Sequence, residues 1–212
     1  GLAVQRNVTL GTTQSETLTV NAKANFEKSD IYLYLTDGNP AYPIRIGRGE
    51  GNQFNNVGVG YRILHNNSNG ARNIAMGFES LLTNTAGNDN TALGYRSLKT
   101  NSTGSSNTSV GMNALVASNG DGNTAVGAQA LYAMSAGSHN VCLGYFAGYN
   151  ITGNGNVLIG PATTGNDQSV TFQGLSPSAD KQLVIGSGNT AWIRGNSTGD
   201  ITIPQALTVA GN

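Results

Sequence analysis

Charged side chains are sparse in this chain: they make up 10% of its 212 residues, with 11 basic and 11 acidic groups giving a net charge of +0, against about 25% charged in an average soluble domain. Balanced, dilute charge argues against a nucleic-acid groove and against a basic membrane surface. A single cysteine, Cys142, rules out an intrachain disulfide framework and a cysteine zinc cluster. No apolar run approaches the roughly 18 residues of a membrane span, and no charged-then-apolar leader opens the chain at Gly1. The missing initiator Met points to a processed or trimmed product.

In place of charge the chain has 30 glycines and, by count, 27 asparagines. So much turn-forming residue with so little Glu and Lys disfavours helices and predicts an all-β fold.

A short strand closed by glycine recurs seven times. It begins at Asn56, Asn73, Asn90, Asn107, Asn123, Asn140 and Asn156 and ends at Gly60, Gly77, Gly94, Gly111, Gly127, Gly144 and Gly160, with glycines 17, 17, 17, 16, 17 and 16 residues apart. After each of the first five glycines a leucine follows four residues on (Leu64, Leu81, Leu98, Leu115, Leu131). A second glycine comes at nine or ten (Gly70, Gly87, Gly104, Gly120, Gly137, Gly153), often inside an Asn-x-x-Gly turn. Each unit reads as a strand, a corner at glycine, a second short apolar stretch and a turn back, with two strands per coil.

Stacked at about 4.8 Å per coil, seven units form a column on the order of 33 Å long. The asparagines then become an amide ladder that holds corners and binds no ligand. Alternation within the strand separates a large row (Val59, Met76, Leu93, Val110, Val126, Leu143, Ile159) from a small row (Gly58, Ala75, Ala92, Ser109, Ala125, Cys142). The large row is expected to form the repeat core, and the small row to lie against another backbone. A coil this thin leaves apolar side chains outside, including Tyr61, Phe78, Tyr95, Met112 and Tyr145, and association about a threefold axis would bury them. The fold class expected is an elongated all-β homotrimer with a central parallel β-roll or β-helix of about seven coils.

Three segments follow: 1–50 as an N-terminal β segment, 51–165 as the repeat roll and 166–212 as a C-terminal β segment. The flanks alternate over Glu16 to Ala22 and Ile31 to Thr36, then at Ile44 to Gly47, Ser169 to Phe172, Leu183 to Gly186, Ala191 to Arg194 and Asp200 to Ile203. The stretch Ala206 to Asn212 echoes Thr17 to Ala22, which predicts that the native polypeptide continues or is cleaved there. Between Thr100 and Asn166 only Asp121 is charged, so the later coils present a hydroxyl- and amide-rich surface.

The Asn-x-Ala-Val-Gly-x-x-Ala-Leu units resemble repeats of tail-fibre and other virion proteins of tailed bacteriophages, cyanophages especially. The segments Glu16 to Phe26 and Asp200 to Asn212 resemble shaft modules of the same proteins. The strand motif is also similar to the head repeat of trimeric autotransporter adhesins, whose period is shorter. The resemblance covers residues 51–165 well and the flanks loosely. It implies a homotrimeric, extracellular virion fibre for host attachment, whose partners are other tail proteins and a bacterial surface glycan or outer-membrane protein, with no membrane insertion. It carries over no catalytic residue and no cofactor. The alternatives are a tailspike that depolymerises polysaccharide and a bacterial trimeric surface adhesin.

No Gly-x-Ser-x-Gly elbow, phosphate loop, His-Glu-x-x-His pair or EF-hand loop is expected. His65 and His139 fall in loop positions without a partner cluster. The coil acids Glu79, Asp89 and Asp121 occupy different repeat positions, which disfavours a glycosidase pair. Asp89 and Asp121 do not recur in register as a calcium roll requires. Asn-x-Ser/Thr triplets such as Asn101-Ser102-Thr103 follow from composition. Cys142 is expected as a buried thiol, and Trp192 as a packing residue.

Overall fold

The computed structural model describes residues 31–33, 44–47, 55–162, 178–187 and 190–203. Twelve strands run through these residues, with no helix among them. They form one sheet in strict chain order.

Strands β1 (Ile31–Leu33) and β2 (Ile44–Gly47) pair antiparallel, and β2 continues antiparallel onto β3 (Val57–Gly60). From β3 the pairing is parallel through β4 (Ile74–Met76), β5 (Thr91–Leu93), β6 (Thr108–Val110), β7 (Thr124–Val126), β8 (Val141–Leu143) and β9 (Val157–Ile159). Strand β10 (Leu183–Ser187) adds in parallel to β9, and β11 (Thr190–Gly195) and β12 (Ile201–Thr202) close the sheet antiparallel. Successive parallel strands separated by one short coil make a parallel β-solenoid of about six turns. The expected strands around Glu16 to Ala22, Ser169 to Phe172 and Ala206 to Asn212 lie outside the described residues.

Equivalent residues stack without slippage, so Val59, Met76, Leu93, Val110, Val126, Leu143 and Ile159 form one column. That column is not the core. Met76, Val126 and Ile159 are exposed and the others half-buried, whereas Ala75, Ala92, Ser109, Ala125, Cys142 and Leu158 are buried. The assignment of the large row as core is therefore corrected.

The physical reason is the thinness of the coil. A Cβ added at Gly58 would collide with Ile63 Cδ1 of the opposite wall. Where the strand has Ala or Ser instead, that wall has Ser80, Ser97, Ala114 or Ala130, so small residues face small ones. Buried hydroxyls there are paired: Ser97 Oγ donates to Ser109 O at 3.0 Å, and Ser109 Oγ to Ala114 O at 2.9 Å. The remaining volume is filled by the fully buried column Leu64, Leu81, Leu98, Leu115 and Leu131.

The second wall is not a strand either. The second and fourth residues after each of the first six corner glycines take left-handed φ, as in Arg96 (55°) and Leu98 (49°) or Asn113 (54°) and Leu115 (47°). Coil-to-coil bonding persists along this winding stretch, for example Arg96 N–H to Phe78 O at 2.8 Å and Leu98 N–H to Ala114 O at 3.1 Å. Left-handed φ costs a leucine roughly 1–2 kcal/mol, and full burial of its side chain, at about 1.5–3 kcal/mol, offsets this. In the sixth coil Gly148 takes that position, and a Cβ there would meet Cys142 Sγ at 2.5 Å. The larger Cys142, with Leu131 of the coil before, occupies the space a leucine fills elsewhere.

Candidate functional site

Asn56, Asn73, Asn90, Asn107, Asn123, Asn140 and Asn156 are all buried. Each of the first six donates Nδ2 to the glycine carbonyl closing its own coil, from Asn56 to Gly70 O at 2.8 Å through Asn140 to Gly153 O at 3.0 Å. Each Oδ1 accepts the backbone N–H of the next rung at 2.8–3.0 Å. Gln182 N–H supplies the last rung, to Asn156 Oδ1 at 2.9 Å. One amide thus satisfies two backbone groups that the corner would otherwise leave unpaired.

A second column, which the sequence reading did not single out, holds Asn67, Asn84 and Asn101. Asn84 and Asn101 each donate to the Oδ1 one coil before, at 2.7 and 2.9 Å. Ser118 follows in the next coil, where the turn is one residue shorter, and Asn101 Oδ1 is left buried without a donor.

The corner glycines Gly60, Gly77, Gly94, Gly111, Gly127, Gly144 and Gly160 have φ between 121° and 141°. A Cβ on Gly111 would lie 2.6 Å from Gly127 O. Both conformation and clearance therefore demand glycine.

Apolar side chains stand on two of the outward surfaces. The strand face presents Val57, Ile74, Thr91, Thr108, Thr124, Val141 and Val157 beside the Val59 to Ile159 column, with no charge in either row. Past the corner, the rings of Tyr61, Phe78 and Tyr95 stack at 5.2 and 5.3 Å between centroids. Met112, Tyr95 and Tyr145 are exposed.

The coil acids are separated. Glu79, buried, is bonded by Arg62, Arg96 and Lys99. Burial pushes its carboxyl up, but the hydrogen bonds from Lys99 and Arg96 and their charges together hold it below the ordinary carboxylate range. Asp89 pairs with Arg72 before the ladder asparagine, at the other end of the strand. Asp121 Oδ1 accepts the Ser105 N–H at 2.7 Å. Among the described residues no cluster of three His, Cys, Asp or Glu side chains suits a metal ion, and no helix is long and apolar enough to cross a membrane. His139 is exposed and His65 half-buried, in different coils.

Cys142 is fully buried, and burial pushes its thiol well above the ordinary range, with a hydrogen bond involving the Leu158 backbone opposing it in part. Trp192, expected as a packing residue, is 53% exposed on β11 of the single chain. Contrary to the expectation that none occurs, Gly195-Asn196-Ser197-Thr198-Gly199 carries the Gly-x-Ser-x-Gly letters. It forms the antiparallel connection from β11 to β12, not the strand-to-helix turn that exposes a nucleophile.

Fold and surface together define a repeat solenoid whose interior ladders recur from coil to coil while its outward residues differ between coils. No protein-family model matches the chain, and neither does any curated protein or solved structure.

Proposed function

We propose that this chain is a structural and host-receptor-binding segment of a phage tail fibre, acting as a homotrimer without enzymatic activity. The observation that carries the reading is the uncharged strand face. Seven parallel strands give it a length of roughly 30 Å, and Val57 (56% exposed), Ile74, Met76, Val126 and Ile159 stand open along it. Contiguous apolar faces of this extent mark association surfaces, and a second and third copy of the same flat face match it in length and chemistry. The resemblance of the Asn-x-Ala-Val-Gly units to fibre repeats points the same way.

The tailspike alternative needs two carboxyl groups flanking a glycosidic bond. Glu79 is committed to three cations, and Asp89 and Asp121 belong to the other end of the strand, so the non-enzymatic reading is preferred. Incubating labelled chain with a panel of bacterial strains, and assaying the medium for released oligosaccharide, tests both. Adsorption without release is expected. Release would favour the depolymerase, and failure to adsorb to any strain would count against attachment.

A further inference from the structure

The coils from residue 55 to 162 contain four cations, Arg62, Arg72, Arg96 and Lys99, and three anions, Glu79, Asp89 and Asp121. Arg72 and Asp89 form a two-pronged pair at 2.6 and 2.8 Å. The other three cations converge on a single carboxylate. Arg62 Nη1 lies 3.1 Å from Glu79 Oε1, and Arg96 Nε and Lys99 Nζ lie 3.0 and 2.8 Å from Oε2. Glu79 is 8% exposed, whereas the cation side chains are 41%, 39% and 24% exposed. Among the described residues one buried anion therefore fixes three partly exposed cations, leaving two positive charges without a counter-charge in one place, while Arg62 and Arg96 each spend a single N–H group on Glu79.

The ring column runs beside this cluster for three coils. Tyr61 precedes Arg62, Phe78 precedes Glu79 and Tyr95 precedes Arg96, and the Arg96 guanidinium sits 4.8 Å from the centre of the Tyr95 ring. Because the rings pack on one another, the column meets a ligand by its edge, where the exposed Tyr95 offers its hydroxyl to a sugar hydroxyl, and an arginine fork binds a carboxylate or phosphate through two parallel hydrogen bonds. The repeat of this pairing, about 4.8 Å per coil, is close to the length of one hexopyranose unit. Downstream the same columns become Met112 and Asn113, then Ala128 and Gln129, so the charge ends after three coils. The cluster lies past the corner glycines, and with the strand rows as the self-association face the Tyr61, Phe78 and Tyr95 column stays outside the trimer, in place of the burial expected for it from the sequence.

We infer that the Arg62, Arg96 and Lys99 cluster, with the Tyr61, Phe78 and Tyr95 ring column, binds a saccharide chain bearing anionic groups. This rests on the attachment reading and names its ligand class. The anion is a carboxylate or a phosphate, and the two are separated by probe.

The test is calorimetric titration of the full chain with oligogalacturonate, phosphorylated dextran, neutral dextran and polyglutamate. Binding of either anionic saccharide is expected, weakening by about tenfold or more as salt rises from about 0.05 to 0.5 M. Arg62→Gln with Arg96→Gln is expected to weaken it by at least about tenfold. Tyr95→Ala should weaken saccharide binding several-fold, and Arg72→Gln should leave it unchanged. The inference is overturned by absence of binding at low salt, by equal binding of neutral dextran or polyglutamate, or by full affinity in the Tyr95→Ala chain. Cell adsorption separates the two readings. If the double variant adsorbs as well as the parent, the saccharide site is wrong and attachment stands. If the parent binds the saccharide but adsorbs to no strain, attachment is wrong and the site stands.

Discussion

Asn73 donates its backbone N–H to Oδ1 of Asn56, one coil earlier, at 2.8 Å, while its own Nδ2 reaches Gly87 O at 2.9 Å. Repeated along the stack, this relation joins each corner to the next and closes each coil on itself. It explains why an amide, with one donor and one acceptor end, is required there: a carboxylate lacks the donor and a hydroxyl lacks the reach.

Removing one rung strands two buried backbone groups. Asn107→Ala deprives Gly120 O of its donor and Asn123 N–H of its acceptor, at about 1–3 kcal/mol each. Asn66→Ala, at an exposed position, should stay within about 0.5 kcal/mol. Urea denaturation of the two variants checks the contrast.

The glycines divide into two kinds. Gly111→Ala should prevent the coil from closing, because the new Cβ meets Gly127 O and the φ is 133°. Gly155, at φ 66°, occupies the position held elsewhere by Arg72, Asp89, Ser106 and His139. Gly155→Asn should therefore be neutral within about 0.5 kcal/mol, since Asn tolerates this conformation and restricts the unfolded chain. Comparing soluble yield and thermal midpoint of both variants decides it.

Leu98 combines complete burial with φ 49°. Leu98→Ala should cost about 2–5 kcal/mol for the lost packing while retaining the strain. Leu98→Gly loses the same packing but relieves the strain, so it should be at least as stable as the alanine variant. On ordinary backbone glycine would be worse than alanine by about 0.5–1 kcal/mol. Denaturation midpoints of the pair read the sign directly.

These contrasts also mark what was legible in the sequence. The period, the recurrent asparagine and the glycine at each corner stand in plain view, because each recurs every 16 or 17 residues. The phase of burial did not, since strand alternation defines two rows without saying which faces in. The usual rule that large residues go inside fails where the opposing wall leaves no room beyond a methyl or hydroxyl, as Gly58 against Ile63 shows. Nor did the winding second wall, whose left-handed residues, Asn113 and Gly148 apart, are Arg, Glu, Gln, Phe and Leu, types that carry no turn signal. The Glu79 cluster escaped notice because its members are 17 and 20 residues or so apart and meet only through stacking.

Acid should loosen the early coils. The folded Glu79 carboxyl lies below its ordinary value, so the folded state binds fewer protons than the unfolded one. Its contribution is complete above the ordinary carboxylate pKa of about 4.3 and is lost as pH falls through the folded value. Asp89 and Asp200, also held low by their hydrogen-bond partners, add in the same direction. Glu79→Gln isolates its share: the parent should be more stable near pH 6, with the difference shrinking toward pH 3, as followed by melting at each pH.

The central claim is that the small row faces inward and the large row forms a surface that other copies cover. Sedimentation equilibrium on the parent and on Val110→Asp tests it most directly, with circular dichroism on both. The account predicts three 21.8 kDa chains for the parent. It predicts a single chain with unchanged β signal for the variant, because Val110 points away from the coil interior. A parent that sediments as one chain, or a Val110→Asp chain that is unfolded, would contradict it.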